Sequence, residues 1–266
     1  MDEVSTPPAG VRGRVVSRDG TPIAYERYGE GPPLVLVSGA LGTAEGERPL
    51  GGLLARRFSV VAYDRRGRGG SGDGGPYAVE REVEDLAAVV GAAGPGTALH
   101  GTGTGGALVL AAVAAGLPAG AVSAFEPPYS TGAAELRRRV SELLGAARPA
   151  EALAVFLAES TVPARLRPGA AELAHTLAYD MAVLGGGTAD GALPVGLLAR
   201  VHARVLVVDG GVSPAGTRQA ARAVTEALPR ARHRTLTGQT HDVAPHVLAP
   251  VLEEFLGEHR EPAEAA

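Results

Sequence analysis

Leu99-His100-Gly101-Thr102-Gly103-Thr104-Gly105-Gly106-Ala107 is the stretch that decides the fold of this chain. Its spacing is that of Gly-x-Ser-x-Gly with a glycine as the third letter, a motif in which a short strand turns sharply into a helix. Gly101 and Gly105 flank the turn, where nothing larger lets the backbone pass so tightly. The apolar run 107–114 then reads as a buried helix whose first N–H groups point back at the turn and favour developing negative charge there. Gly103 therefore stands where the motif carries its nucleophile. The rival reading of such a glycine-rich loop is a phosphate cradle, but no Gly-Lys-Ser/Thr follows, which excludes a P-loop.

Outward from this turn, apolar strands alternate with helical segments. Residues 11–17 and 23–28 flank Asp19-Gly20 and read as a hairpin, 33–37 and 58–63 as buried strands, and 49–57 and 79–90 as helices. On the other side come a strand at 121–125 that stops at Glu126-Pro127-Pro128, strands at 205–208 and 233–236, and helices at 215–227 and 247–256. This order predicts an α/β fold with a mostly parallel sheet covered by helices on both faces. From 129 to 198 the strand signal gives way to helical segments at 133–144, 150–157 and 170–183. The expected organisation is a core made of residues 1–128 and 201–266, with 129–200 inserted as a helical lid above the turn and a frayed tail at 258–266.

With 266 residues, 45% of them hydrophobic, the chain is long enough for one sizeable core, and 38 Gly with 20 Pro imply tight turns. A net charge of −4 without a basic run leaves no electrostatic footprint for nucleic acid or an anionic membrane, although every basic residue is Arg and none is Lys. The absence of cysteine excludes disulfides, thiolate metal sites and a cysteine nucleophile. His202, His233, His246 and His259 lack metal-ligand spacing, so neither a metal nor a cofactor is expected. Abundant Ala, Gly, Arg and Pro beside missing Lys, Asn, Cys and Trp point to a GC-rich bacterial genome. Residues 1–10 lack the basic and apolar regions of a signal peptide, and no apolar window reaches the roughly 18 residues of a membrane helix. The expectation is a cytoplasmic protein acting on a small molecule, as a monomer or homodimer.

Six segments occur in an order that resembles the α/β-hydrolase family, its small actinobacterial members in particular, across nearly the whole chain. They are Gly20-Thr21-Pro22-Ile23-Ala24-Tyr25-Glu26-Arg27, Ser38-Gly39-Ala40, Tyr63-Asp64-Arg65-Arg66-Gly67-Arg68-Gly69, the turn around Gly103, Glu126-Pro127-Pro128 and Gly238-Gln239-Thr240-His241-Asp242. The resemblance implies that Gly103 replaces the nucleophile, that His241 is the catalytic histidine, and that the N–H groups of Ala40 and Thr104 form an oxyanion hole. The acid that orients the histidine is usually in the loop after Val208, where Ser213 stands roughly at the family's Asp and Asp209 ends the strand. Some members carry it at the end of the preceding strand, which here is Glu126, and Glu126 is favoured over Asp209. The run Arg65-Arg66-Gly67-Arg68 resembles a loop whose arginines brace the fold.

An imidazole held by a carboxylate remains a base without a serine beside it. Backbone oxyanion donors also survive the loss, and one donor contributes roughly 3 kcal/mol to transition-state stabilisation. Acyl-enzyme chemistry at Gly103 is impossible. The expected function is therefore cofactor-independent, non-covalent acid/base chemistry, such as the elimination, cyclisation or isomerisation of a lyase or cyclase working on a natural-product-like molecule in biosynthesis. The alternatives are a hydrolase in which His241 activates water or a relocated hydroxyl attacks, and a non-catalytic small-molecule-binding protein. Thr102 and Thr104 are candidate substitute nucleophiles but are expected to turn their side chains away from the tip; Thr102, Ser38, His175 and Tyr179 are the expected substrate contacts, with Ser38 either facing the cavity or making a local turn bond, and His100 is expected to be a core histidine. His175 and Tyr179 share a helix face, with Asp180 offset; they either contact substrate or pin the lid to the core.

Overall fold

The computed structural model describes residues 10–129, 131–160, 162–163, 166–185 and 193–258; apart from Glu258, the expected frayed tail lies outside the described residues. Strands β1 (Val11–Val16) and β2 (Pro22–Tyr28) form the hairpin, followed by β3 (Pro33–Val37), β4 (Ser59–Tyr63), β5 (Ala98–Thr102), β6 (Val122–Phe125), β7 (Val205–Gly210) and β8 (Ala231–Leu236). They make one sheet in the order β1-β2-β4-β3-β5-β6-β7-β8. Antiparallel pairing is confined to β1–β2 and β2–β4, and every pair from β4 to β8 is parallel.

The unbroken apolar runs are explained by burial on both faces. In β3, Leu34 and Leu36 pack towards α1 (Arg48–Leu54) and α9 (Pro245–Gly257), through residues such as Leu54 and Leu252. Val35 and Val37 pack on the opposite side with Leu86 of α2 (Val79–Ala93), Leu108 of α3 (Thr104–Ala114) and Val224 of α8 (Ala215–Ala227). Helix α3 is apolar on nearly every side because Val183, Leu198 and Val201, from the segment between β6 and β7, join the same cluster.

That segment carries α4 (Thr131–Gly145), α5 (Pro149–Glu159), α6 (Leu177–Gly185) and α7 (Val195–Leu198), with no strand among its described residues. It has a small core of its own, in which Val140, Phe156, Leu177 and Met181 surround Leu41. The continuous helix expected over 170–183 is not formed. Both the N–H and the hydroxyl of Thr176 donate to the Leu173 carbonyl, at 2.9 and 2.8 Å, which closes a tight three-residue turn at Ala174–Thr176 before α6 begins. His175 thus precedes the helix that carries Tyr179 and Asp180. Among the described residues no helix is long and apolar enough to cross a membrane.

Candidate active site

The turn between β5 and α3 is built by close approach. A Cβ on Gly105 would lie 2.2 Å from the Val37 carbonyl oxygen, so any side chain there would push α3 off β3. Gly103 adopts φ 55° and ψ −123°, a backbone region costly for any residue with a side chain. Its N–H is fixed by the Phe125 carbonyl at 2.8 Å. A Cβ built on Gly103 would make ordinary contacts with His241, 3.4 Å from Cε1 and 3.5 Å from Nε2. The position that the sequence motif assigns to a nucleophile is therefore directed at the edge of this imidazole.

His241 lies in the loop after β8. Gln239 organises that loop, its side chain accepting from the Ala244 N–H at 3.1 Å and its carbonyl from the Val212 N–H at 2.9 Å. The imidazole Nδ1 is 2.7 Å from Glu126 Oε2. Glu126 leaves β6 in a left-handed conformation, φ 47°, a strain of order 1 kcal/mol or more, and is buried. Its second oxygen accepts the Gly210 N–H at 2.8 Å. Burial raises the carboxyl pKa, but the hydrogen bonds from the His241 ring and the Gly210 N–H outweigh it and hold Glu126 below its usual value. A carboxylate on Nδ1 selects the tautomer with hydrogen there and leaves the Nε2 lone pair facing Gly103. Asp209 does not reach His241; it is buried with Oδ2 3.2 Å from Nε2 of His233.

A cavity of about 880 Å³ opens over this turn, and Gly103, His241, Glu126, Ala40, Thr102 and Thr104 all line it. The rest of the wall is mostly apolar, with Leu136, Phe156, Leu166, Met181 and Leu184 on one side and Leu50 and Leu248 on the other. As the first residue of α3, Thr104 has a backbone N–H without an acceptor in its own helix. Its hydroxyl turns away from the tip but caps nothing, donating instead to Asp180 Oδ1 at 2.7 Å. The Thr102 hydroxyl is 3.4 Å from Nε2 of His100, a buried histidine whose pKa desolvation lowers to about 4.

Three expected substrate contacts lie elsewhere. Ser38 is buried and does not line the cavity, because the turn from Gly39 to Gly42 folds over it; its hydroxyl has no hydrogen-bond partner among the described residues. Tyr179 stacks on Tyr77 with ring centroids 4.0 Å apart and donates to Asp73 at 2.8 Å, with His175 edge-on to it. These side chains join the segment between β6 and β7 to the rest of the molecule, away from the cavity. The three loop arginines are buried as well: Arg65 is paired with Glu82 and Asp180, Arg66 with Asp85 and Asp19, and Arg68 with Asp180. Asp180, which the sequence reading only set off the face of His175 and Tyr179, proves to be the carboxylate that binds this cluster; its signal was a lone charge between the apolar Leu177 and Met181.

Residues 34–256 match the family model described as the alpha/beta hydrolase family. An alpha/beta hydrolase from Sphaerobacter thermophilus is 45% identical, with a TM-score of 0.82, over 91% of this chain and 99% of that one. A non-heme haloperoxidase of Rhodococcus erythropolis is 37% identical over 103 residues, 38% of each chain. A protein of Azorhizobium caulinodans named for carbamate hydrolysis is 42% identical over 71 residues, 26% of this chain and 27% of its own length. The alignments with these two curated relatives thus span well under half of either protein. The matched family model and the close full-length structural relative place this chain in the alpha/beta hydrolase family.

Proposed function

We propose that this protein is a cofactor-independent acid/base enzyme that turns over a small, largely apolar carbonyl compound without a covalent intermediate. The observation that carries the reading is the imidazole of His241, held by Glu126 at 2.7 Å and directed at a residue with no side chain. A substrate lying over Gly103 brings its own C–H or O–H to Nε2. His241 takes that proton, and the charge left behind collects on the carbonyl oxygen, facing the Ala40 and Thr104 N–H groups. Glu126 stabilises the imidazolium. The proton then returns to a leaving group, to another carbon or to the oxygen formed on ring closure, which gives elimination, isomerisation or cyclisation.

A second reading, hydrolysis by a water that His241 activates, is supported by the hydrolase names among the relatives. The two separate in isotopic solvent. Carbonyl compounds with acidic α-hydrogens, and matched esters, are incubated with the enzyme in D₂O and in H₂¹⁸O. Deuterium wash-in that disappears in His241→Ala supports the first reading. Ester cleavage with ¹⁸O in the acid product and no wash-in supports the second, and activity equal in His241→Ala and the parent overturns both.

A further inference from the structure

The donors of the proposed oxyanion hole sit on two separate segments, the loop after β3 and the start of α3. Something must hold them in register. Asp180 of α6 reaches both, one directly and the other through an arginine. It is wholly buried, and its Oδ1 accepts from the Thr104 hydroxyl at 2.7 Å and from Arg65 Nη1 at 2.7 Å. Its Oδ2 accepts from Arg68 Nη2 at 2.8 Å, while Nη1 of the same guanidinium donates to the Gly39 carbonyl at 2.6 Å. The Gly39 carbonyl belongs to the peptide whose N–H is that of Ala40. One carboxylate therefore reaches the Thr104 donor through its own side chain and the Ala40 donor through one arginine.

The apolar contacts run the same way. Leu41, next to Ala40, is held at φ 59° and buried against Leu177 and Met181 of α6. Burial of the leucine side chain offsets the cost of the left-handed backbone. Met181 and Leu184 of the same helix line the cavity. The helix that lines the cavity is thus also the helix that grips both donor segments.

We propose that Asp180 is a positioning residue: through Thr104 and Arg68 it sets the placement of the Ala40 and Thr104 N–H groups, so that seating of α6 and assembly of the oxyanion hole are one event. The inference rests on the acid/base reading above for its catalytic meaning, but not for its geometry. Its test is accordingly in two parts. In the first, backbone amide ¹H–¹⁵N shifts are compared among the parent, Asp180→Asn, Thr104→Val and Asp85→Asn, the last breaking an equally buried pair with Arg66 that touches neither donor segment. Asp180→Asn should move the amides of both Ala40 and Thr104, Thr104→Val should move amides around Asp180 while leaving that of Ala40 in place, and Asp85→Asn should move neither donor amide. In the second part, Asp180→Asn should lower kcat for the His241-dependent reaction by about a hundredfold, as expected for donor misplacement of about 1 Å, with KM unchanged.

Equal shifts in Asp180→Asn and Asp85→Asn would mean general loosening and overturn the inference. If Asp180→Asn does not fold, Thr104→Val decides through residues it does not itself change: shifted amides around Asp180 in α6 support the link, and unmoved α6 amides reject it. Shifted amides without any His241-dependent turnover leave the link standing and reject the acid/base reading alone.

Discussion

The loop at Gly103 has two sides that differ in every respect. Towards His241 there is room, an imidazole held by Glu126 and a cavity wall. Towards Asp180 there is no room at all: two arginines, two carboxylates and a threonine hydroxyl are buried together and bonded to one another. Glycine in place of a nucleophile at position 103, as we propose, would change only the first side. The second, which fixes the backbone donors, does not depend on which side chain stands at the tip, and this is why a glycine there is compatible with an organised site.

The largest effect is expected on the open side. His241→Ala should reduce turnover roughly a hundred- to ten-thousandfold, the usual contribution of a general base, while thermal unfolding stays close to that of the parent. Glu126→Gln should keep the fold and lower turnover by misorienting the ring, and Asp209→Asn should have the smaller effect, since Asp209 bonds His233 instead. Steady-state kinetics of the three variants check the order; a larger loss in Asp209→Asn would reverse the assignment of the acid.

The crowded side should respond in stability. Asp180→Ala leaves Arg68 without its carboxylate partner and should cost about 3–5 kcal/mol in urea unfolding. Burial raises the Asp180 carboxyl, but Arg68 and Arg65 outweigh it and hold it below its ordinary 3.8. A carboxylate lowered in the native state contributes stability above its unfolded value and loses it as pH falls through the native one. The gap between parent and variant should therefore be widest near neutrality and narrow below about pH 4; a gap that widens in acid would contradict the ion-pair account. The smallest effect belongs to the tip itself. Gly103→Ala meets only ordinary contacts, so its cost should be that of the backbone strain, about 1–3 kcal/mol.

Much of this was legible in the chain because it depends on local pattern. Alternating apolar strands and helices predict the sheet, and the glycines at 101 and 105 predict the tight crossing of α3 over the strands. The distance between Glu126 and His241, 115 residues apart in sequence, rests on the left-handed turn at Glu126, and no periodicity encodes that. The lid was harder. The Ala- and Leu-rich stretch 170–183 reads as one helix, yet Thr176 bonds back to Leu173 and breaks it, and Tyr179 lies against Tyr77 and Asp73 rather than in the cavity. Ser38 failed for a similar reason: its burial is decided by the turn that follows it, not by its own position at the end of β3. Asp180 was visible only as an isolated charge, since its partners come from loops over 70 residues away.

The central claim is that the chemistry proceeds without a covalent bond to the enzyme. Intact-mass analysis after incubation with a serine-directed fluorophosphonate tests it most directly. The account predicts that the parent keeps its unmodified mass, because Gly103 offers no oxygen, and that Gly103→Ser gains one adduct mapped to residue 103 beside His241. A stoichiometric adduct on the parent, whether on Ser38, Thr102 or Thr104, would contradict it.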